Sequence, residues 1–207
     1  MAKINQSNLK LAIHNQVKKD KTLLTQGRVV IENQFKTIKN NFINNFLNHP
    51  VTKELKGGAS SKNVTNTLRS GNLYGFIGFE SGYDPLDGVE RLLRKTSILV
   101  KNRKFSSYGF IWTFLVTSPS LSELYDLTPM PWANGASWLR EIEGRGIPNL
   151  GQYLFKQSSV SRSGGGIQNS NSPNGGRVRV PYIRDILEDF EDDLNSIEAS
   201  RVSKQFF

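Results

Sequence analysis

The sequence predicts an α+β fold, in which an antiparallel β-sheet packs against a long N-terminal helix and a C-terminal amphipathic helix. Two stripes of apolar residues with helical spacing, one within residues 23–48 and one within residues 183–197, predict these two helices. Aromatic-rich segments with the two-residue period of strands lie between them. An antiparallel sheet with helices on one face is the simplest packing for this order of elements.

The first predicted helix covers residues 23–48. Its apolar stripe advances by three or four residues at each step and consists of Ile31, Phe35, Ile38, Phe42 and Phe46. We expect it to end at His49-Pro50, because the residue before a proline is disfavoured in the α region. Residues 1–22 are polar and are predicted to form an N-terminal arm, with a helix as the alternative. Residues 23–207 are predicted to form one domain.

Three strands are predicted in the middle of the chain, at residues 72–79, 98–100 and 108–116. The third segment is apolar on both faces, which predicts a central strand that is covered on both sides. The basic segment before it, Lys101-Asn102-Arg103-Lys104, is expected at a hairpin tip. Its charges either contact phosphate or an acidic partner, or are solvated.

Short helices are predicted after the first and third of these strands. Asp84-Pro85 is typical of a helix N-terminus, with Asp84 as the cap and Pro85 in the first turn. Two further helices are predicted at residues 120–127 and 137–143, and Gly144 is expected to close the second of them.

Residues 158–176 (SSVSRSGGGIQNSNSPNGG) are low in complexity and contain few large apolar side chains. Such a segment buries too little surface to offset its ordering entropy, so we expect it to be mobile by itself. It is either an arm that orders against a partner or a flexible tether. Candidate strands at residues 150–156 and 177–180 flank it, and the C-terminal helix follows Pro181.

The net charge of +9 is unevenly distributed along the chain. Residues 1–181 hold 24 basic and 11 acidic residues, a net charge of +13, whereas residues 182–207 hold 3 basic and 7 acidic residues, a net charge of −4. One interpretation is affinity for nucleic acid, or contact between unlike faces of neighbouring subunits. The alternative is a solvated surface that keeps the protein soluble.

No pattern typical of a catalytic or metal site is present. The absence of cysteine excludes disulfides, thiolate metal sites and a cysteine nucleophile. His14 and His49 lack the spacing of a metal-binding motif. Asp84, Asp87 and Glu90 have a spacing that places them on one helix face as weak metal ligands, with capping and solvation as the alternative. We therefore expect a protein that is not an enzyme and has no cofactor.

Neither export nor membrane insertion is predicted. The first residues lack the apolar region of a secretory signal. The longest apolar run, residues 110–116, is much shorter than the roughly 20 residues that span a bilayer. We expect a soluble intracellular product that makes no membrane contact.

Binding of nucleic acid is the main alternative to a structural role. Aromatic residues interleaved with positive charge are typical of proteins that bind single strands. Here the aromatic residues Tyr74, Phe76, Phe79, Phe105 and Tyr108 lie near Lys95, Lys101, Arg103 and Lys104 in sequence. The same aromatic residues are also typical of a core, and no RRM, KH or helix-turn-helix pattern is present.

The order of segments resembles the tail-completion and neck proteins of tailed bacteriophages, small α+β subunits that form rings at the head–tail junction. The segments that carry the resemblance are FLNHPVTKEL (residues 46–55), GNLYGFIGF (71–79), MPWANGASWLREIEGRGIPNLGQYL (130–154) and PYIR (181–184). One difference is the Pro-Thr-Gly turn that often precedes the first strand in such proteins. In this chain Pro50-Val51-Thr52 is followed by glycine only at Gly57 and Gly58.

The resemblance implies a virion protein, assembled in the host cytoplasm, that forms a homo-oligomeric ring and contacts other virion proteins of the neck, tail tube or sheath. Non-specific contact with DNA is a further expectation. Ring subunits need unlike complementary faces. The candidate partner-binding residues are therefore basic residues of the body and acidic residues of the terminal helix: Lys101, Arg103, Lys104, Arg162, Arg177, Arg179, Asp189, Asp192 and Asp193.

Overall fold

A computed structural model of the chain describes residues 6–68, 71–106, 109–144 and 180–197. In this part of the chain the elements are α1 (Gln6–Lys19), α2 (Lys21–Asn48), α3 (Pro50–Lys56), a 3-10 turn (Gly58–Ser60), α4 (Leu73–Ile77), α5 (Asp87–Arg94), β1 (Ser97–Ser106), β2 (Gly109–Thr117), α6 (Leu121–Asp126), α7 (Trp138–Glu143) and α8 (Ile183–Asn195). The α+β class is confirmed, with a long helix α2, a C-terminal helix α8 and an antiparallel pair of strands.

The chain divides into two compact units. The first comprises Met1–Lys39, Ser97–Thr117 and Asp192–Phe207, and the second comprises Asn40–Thr96 and Ser118–Glu191. Residues 1–22, predicted as an arm, include the helix α1. The helix α2 begins after Asp20, whose Oδ1 accepts hydrogen bonds from the backbone N–H groups of Thr22 (2.8 Å) and Leu23 (3.3 Å). These bonds satisfy two of the free donors of the first turn.

In the first unit, Gly27 is buried inside α2, at a kind of position where glycine is unfavourable. A Cβ atom at Gly27 would lie 2.9 Å from Cζ2 of Trp112. The missing side chain therefore lets the indole of β2 approach the helix backbone. The close approach explains why glycine is present within a helix.

The strands β1 and β2 form a two-stranded antiparallel sheet, paired from Ser97 and Thr117 to Ser106 and Gly109. The predicted strand at residues 98–100 is confirmed as part of β1. The prediction of a hairpin tip at residues 101–104 is wrong, because these residues continue β1 and the pairing extends beyond them. Apart from a register shift between Val100 and Asn102, the pairing of β1 with β2 continues through the charged residues, since strand pairing depends on backbone groups and not on side-chain charge.

The prediction that residues 108–116 form a central strand covered on both sides is also wrong. In the described part of the chain, β2 has a strand neighbour on one side only. One of its faces, with Trp112, Phe114 and Val116, is half-buried, and the opposite face with Ile111 and Leu115 is exposed. Apolar residues on both faces are therefore explained by an exposed apolar surface, and not by a second covering layer.

The core of the second unit forms around aromatic side chains. Phe42 of α2 stacks on Phe190 of α8, with ring centroids 4.3 Å apart, and Phe46 lies 6.2 Å from Tyr182. The apolar stripe of α2 is confirmed, since its members Ile31, Phe35, Phe42 and Phe46 are buried and Ile38 is partly buried. The predicted end of α2 is confirmed as well, because His49 separates it from α3 and caps the new helix.

The strand predicted at residues 72–79 is wrong, because this segment contains the helix α4. The side chain of Asn72 caps it, accepting a hydrogen bond from the N–H of Gly75 at 2.8 Å. Gly78 ends it in the left-handed conformation, with φ of 87°. Gly75 thus lies within the helix and Gly78 forms its C-terminal cap. The aromatic-rich pattern of this segment does not distinguish such a capped helix from a strand.

The short helices are mostly where they were predicted. The helices α6 and α7 confirm the predictions for residues 120–127 and 137–143, and the N–H of Gly144 closes α7 on the carbonyl of Arg140. The cap predicted at Asp84 is wrong, because α5 begins at Asp87. Asp84 instead accepts a hydrogen bond from the N–H of Leu86 at 2.9 Å, in a turn before the helix.

Several predicted segments lie outside the described residues. These are the candidate strand at 150–156, the loop at 158–176, and residues 177–179 of the last candidate strand. Val180 is described and is not part of a strand, and its N–H bonds to the carbonyl of Ile142 at 2.9 Å.

Candidate assembly surfaces

The exposed face of the β1–β2 hairpin carries large apolar side chains. Leu99, Ile111 and Leu115 are 55%, 50% and 46% exposed. Leu99 pairs directly with Leu115, and Lys104 pairs with Ile111, so all four side chains lie on the same face. We call this surface the hairpin face and define it by Leu99, Lys104, Ile111 and Leu115. Exposed apolar groups that cluster in this way are typical of an interaction surface.

The hairpin also has unpaired edges. Within the described residues, β1 pairs only with β2, so the outer edge of each strand has no strand partner. Unpaired N–H and C=O groups along an edge are ready to pair with another chain. A lone two-stranded ribbon is only marginally stable in water. The hairpin therefore has two independent means of contacting another molecule, its face and its edges.

The candidate basic residues of the sequence are partly brought together by the hairpin. Lys101 and Lys104 are exposed on β1, and Arg103 lies between them in the strand, paired with Trp112. The other basic candidates, Arg162, Arg177 and Arg179, lie outside the described residues.

The acidic candidates lie on one helix. Asp189, Asp192 and Asp193 are exposed on α8 at spacings of three and four residues, which places them on neighbouring turns of the same face. The ion pairs in the described part of the chain involve Glu32, Asp87 and Glu90, and none involves the acids of α8. The exposed acids of α8 are thus a candidate surface for contact with basic groups.

A pocket in the second unit was not predicted from the sequence. It is lined by Phe79, Glu80, Tyr83, Pro129, Met130 and Pro131 and has a volume of roughly 350 Å³. Tyr83 is 53% exposed, and so is Trp132, which follows the last lining residue in sequence. Glu80 is exposed and forms no ion pair with the described residues. We call this surface the aromatic pocket, defined by its lining residues together with Trp132.

Hydrogen bonds hold the walls of the aromatic pocket in place. The buried Tyr74 donates its hydroxyl to the carbonyl oxygens of Tyr83 (2.9 Å) and Glu80, which fixes the turn between them. Trp132 donates its Nε1–H to the carbonyl of Ile77 at 2.8 Å. The indole of Trp132 and the backbone of the turn that carries Tyr83 are thus held in place, so ordering this surface on binding costs less entropy than ordering a free loop.

Two buried carboxylates could be taken for catalytic groups, but their hydrogen bonds point to structural roles. Glu54 is fully buried and accepts hydrogen bonds from the N–H of Leu73 (2.6 Å) and from the N–H and hydroxyl of Thr65 (both 2.8 Å). Burial raises the pKa of Glu143, which accepts from the N–H of Arg184 at 2.8 Å near the start of α8. Both acids hold distant segments of the second unit together.

The acids that were weak metal candidates are engaged otherwise. Asp87 pairs with Arg91 at 2.5 Å, and Glu90 pairs with Lys56 and Arg94. No group of three or more metal-ligating side chains is found in the described ranges. Nor does any helix within them have the length and hydrophobicity needed to cross a membrane.

Comparison with known proteins adds no identification, since no protein-family profile, curated protein or solved structure matches the chain.

The exposed apolar residues of the two surfaces were not predicted from the sequence, and the sequence features that could have identified them differ between the surfaces. The alternation that places Ile111 and Leu115 on one face was visible, but sequence does not show whether a face is covered. Tyr83 lies in a polar turn and Trp132 follows a proline, and large aromatic residues in such irregular segments indicate a surface site.

Proposed function

We propose that this chain is a non-enzymatic structural subunit that assembles with further copies of itself through the hairpin face and the hairpin edges. In finer terms, we propose a neck or tail-completion subunit of a tailed bacteriophage, which forms a ring at the head–tail junction and contacts other virion proteins. The finer proposal depends on the resemblance of its segments to such proteins.

The observation that carries the proposal is the exposure of Leu99, Ile111 and Leu115 on a ribbon whose outer edges have no strand partner among the described residues. At about 25 cal/mol per Å² of apolar area removed from water, covering such a face favours association. Clustered apolar side chains and strand edges of this kind are features of surfaces that contact another chain.

A second copy of the chain is the occupant that the charges favour. The hairpin face carries Lys104, with Lys101 nearby, and α8 carries exposed acids at Asp189, Asp192 and Asp193. Every copy therefore has a basic surface and an acidic surface, which is the condition for contacts between unlike faces of neighbouring subunits.

Non-specific binding of nucleic acid is the second candidate, favoured by the exposed Lys101 and Lys104 on β1. Binding driven by phosphate falls steeply between low and moderate salt. Association through the apolar residues of the hairpin face is expected to survive the same change, because it buries apolar surface. Salt titration with a nucleic-acid duplex and with the protein alone distinguishes the two candidates.

The direct test is the oligomeric state of the wild-type chain and of two variants, measured by sedimentation velocity. We expect the wild type to form a discrete oligomer and Leu115→Asp to be a folded monomer, because the charge would lie on the hairpin face directly opposite Leu99. Val64→Asp is the matched control, since Val64 is 44% exposed and lies in the second unit. A monomeric wild type, or an oligomer that Leu115→Asp leaves intact, would contradict the proposal.

The location in a virion requires a separate test. Particles from the source lysate are labelled with an antibody against this chain and viewed by electron microscopy. Gold label at the head–tail junction supports the finer proposal. Particles that stay unlabelled after the junction has been exposed contradict the proposal of a neck or tail-completion subunit. The more general proposal of a self-assembling structural subunit is tested separately, by the oligomeric state in solution.

A further inference from the structure

We infer that the aromatic pocket of one copy receives the hairpin face of the next copy, with the ammonium group of Lys104 between the carboxylate of Glu80 and the ring of Tyr83. This inference rests on the proposed function, which it deepens by naming the surface that the hairpin contacts.

The first argument is the need for two unlike surfaces. A ring built from one kind of subunit needs a donor surface and a different receiving surface on each copy. Among the described residues, exposed large apolar side chains cluster on the hairpin face and again at the aromatic pocket, where Tyr83 and Trp132 are exposed. Each copy thus has two different surfaces, a two-stranded ribbon with exposed apolar side chains and a concave aromatic site.

The second argument is chemical complementarity. The hairpin face combines a cation, Lys104, with the aliphatic side chain of its directly paired residue Ile111. The aromatic pocket combines a carboxylate, Glu80, with the exposed rings of Tyr83 and Trp132. Aromatic faces attract ammonium groups, and a nearby carboxylate adds to the attraction. Apolar contact with the rings would cover the aliphatic part of the same surface.

The third argument is size and rigidity. The volume of roughly 350 Å³ accommodates one or two side chains but not a folded segment. The turn that carries Glu80 and Tyr83 is held by Tyr74, and Trp132 is held by its bond to Ile77. A site that is already ordered retains more of its contact energy on binding, which is a property of interface hot spots.

The absence of cysteine from the chain allows a sensitive cross-linking test. In the full-length chain, the double variant Tyr83→Cys/Ile111→Cys places one thiol in the aromatic pocket and one on the hairpin face. Under mild oxidation we expect a ladder of covalent dimers, trimers and larger species on non-reducing gels. The control Val64→Cys/Ile111→Cys should give no ladder, and equal ladders in both variants would overturn the inference.

Charge reversal supplies an independent measurement. Glu80→Lys and Lys104→Glu should each weaken association by roughly ten-fold or more, while the double variant Glu80→Lys/Lys104→Glu should restore it because the pair is reversed. Asp126→Lys and Lys62→Glu, at exposed positions outside both surfaces, are controls for a general change of charge. No restoration in the double variant, with both single variants folded by circular dichroism, would overturn the inference.

The outcomes separate this inference from the proposed function. A wild type that stays monomeric overturns both. A wild type that assembles and is disrupted by Leu115→Asp, but is indifferent to Glu80→Lys and gives no ladder through Tyr83→Cys, overturns the inference alone. In that case the hairpin meets another surface, such as the acidic face of α8 or a second hairpin.

Discussion

The hydroxyl oxygens of Thr52 and Tyr182 lie 2.6 Å apart, and both side chains are fully buried. The two residues are separated by 130 positions in the sequence. Their hydrogen bond joins α3 to the residue that precedes α8, so it connects early and late parts of the second unit. Burial raises the pKa of Tyr182, so its hydroxyl stays protonated and can donate.

Removing this hydroxyl should destabilise the protein. We expect Tyr182→Phe to lower the free energy of unfolding by about 1–3 kcal/mol, because the buried hydroxyl of Thr52 loses this partner. Thr52→Val should cost a similar amount. In urea denaturation, the double variant should cost less than the sum of the single variants, and strict additivity would contradict direct coupling of the pair.

The contact between Gly27 and Trp112 predicts that Gly27→Ala lowers stability when Trp112 is present and raises it when Trp112 is replaced by alanine. We expect Gly27→Ala to destabilise the wild type, because the new methyl group would lie 2.9 Å from the indole. In a Trp112→Ala background the same substitution should stabilise the protein by about 0.5–1 kcal/mol, the ordinary gain of alanine over glycine in a helix. Thermal unfolding of the four proteins measures both effects. The same sign in both backgrounds would show that the close approach has no energetic consequence.

Replacement of the buried Glu54 by glutamine, the corresponding amide, should destabilise the protein. Both of its oxygens accept hydrogen bonds, one from Leu73 and the other from Thr65. Glu54→Gln replaces one acceptor with an NH₂ group that faces backbone donors, and we expect a loss of about 2–4 kcal/mol in chemical denaturation. The matched control is Glu141→Gln, on the partly exposed side of α7, which should change stability by less than about 0.5 kcal/mol.

His49 should make stability depend on pH. Burial lowers its pKa from the ordinary value of 6.5, against an opposing effect of Asp185, and its Nδ1 accepts a hydrogen bond from the N–H of Val51. The unfolded chain therefore binds more protons below pH 6.5 than the folded chain does. Stability should fall as the pH drops from 6.5 through the lowered pKa of the folded state.

The test compares His49→Asn with the wild type across this range. Asparagine keeps the capping acceptor but does not titrate, so the difference in unfolding free energy between the two proteins should change with pH only below about 6.5. A pH-independent difference for His49→Asn would contradict the assignment.

The features predicted correctly from sequence are those with a periodic signal. The stripe from Ile31 to Phe46 and the two-residue period of β2 predict their elements because burial of one face requires that spacing. Residues 72–79 were predicted incorrectly because Gly75 and Gly78 fit a bulged strand and a capped helix equally well. The deciding group was the side chain of Asn72, whose role as a cap appears only when the N–H of Gly75 lies within reach.

The assembly surfaces were harder to predict. Lys101 and Lys104 were identified from their charge, but the apolar residues beside them were assigned to a core. Whether Leu115 is covered depends on how many strands pair with β2, and that is decided by long-range contacts. The aromatic pocket depends on a hydrogen bond between Trp132 and Ile77, which are 55 residues apart. Local patterns can mark Tyr83 and Trp132 as exposed aromatic residues, but they do not show that the two residues belong to one pocket.

The register shift between Val100 and Asn102 limits how far strand pairing can spread. It leaves Lys101 without an opposite residue in β2 and divides the edge of β1 into two short lengths. Irregularities and lysines at such places prevent continuous edge-to-edge addition of strands. Although the hairpin exposes apolar side chains, the edge of β1 is therefore a poor template for the long continuous pairing of cross-β fibres, while each short length can still pair with a neighbour. The chain can join a neighbour while remaining protected against open-ended aggregation before assembly.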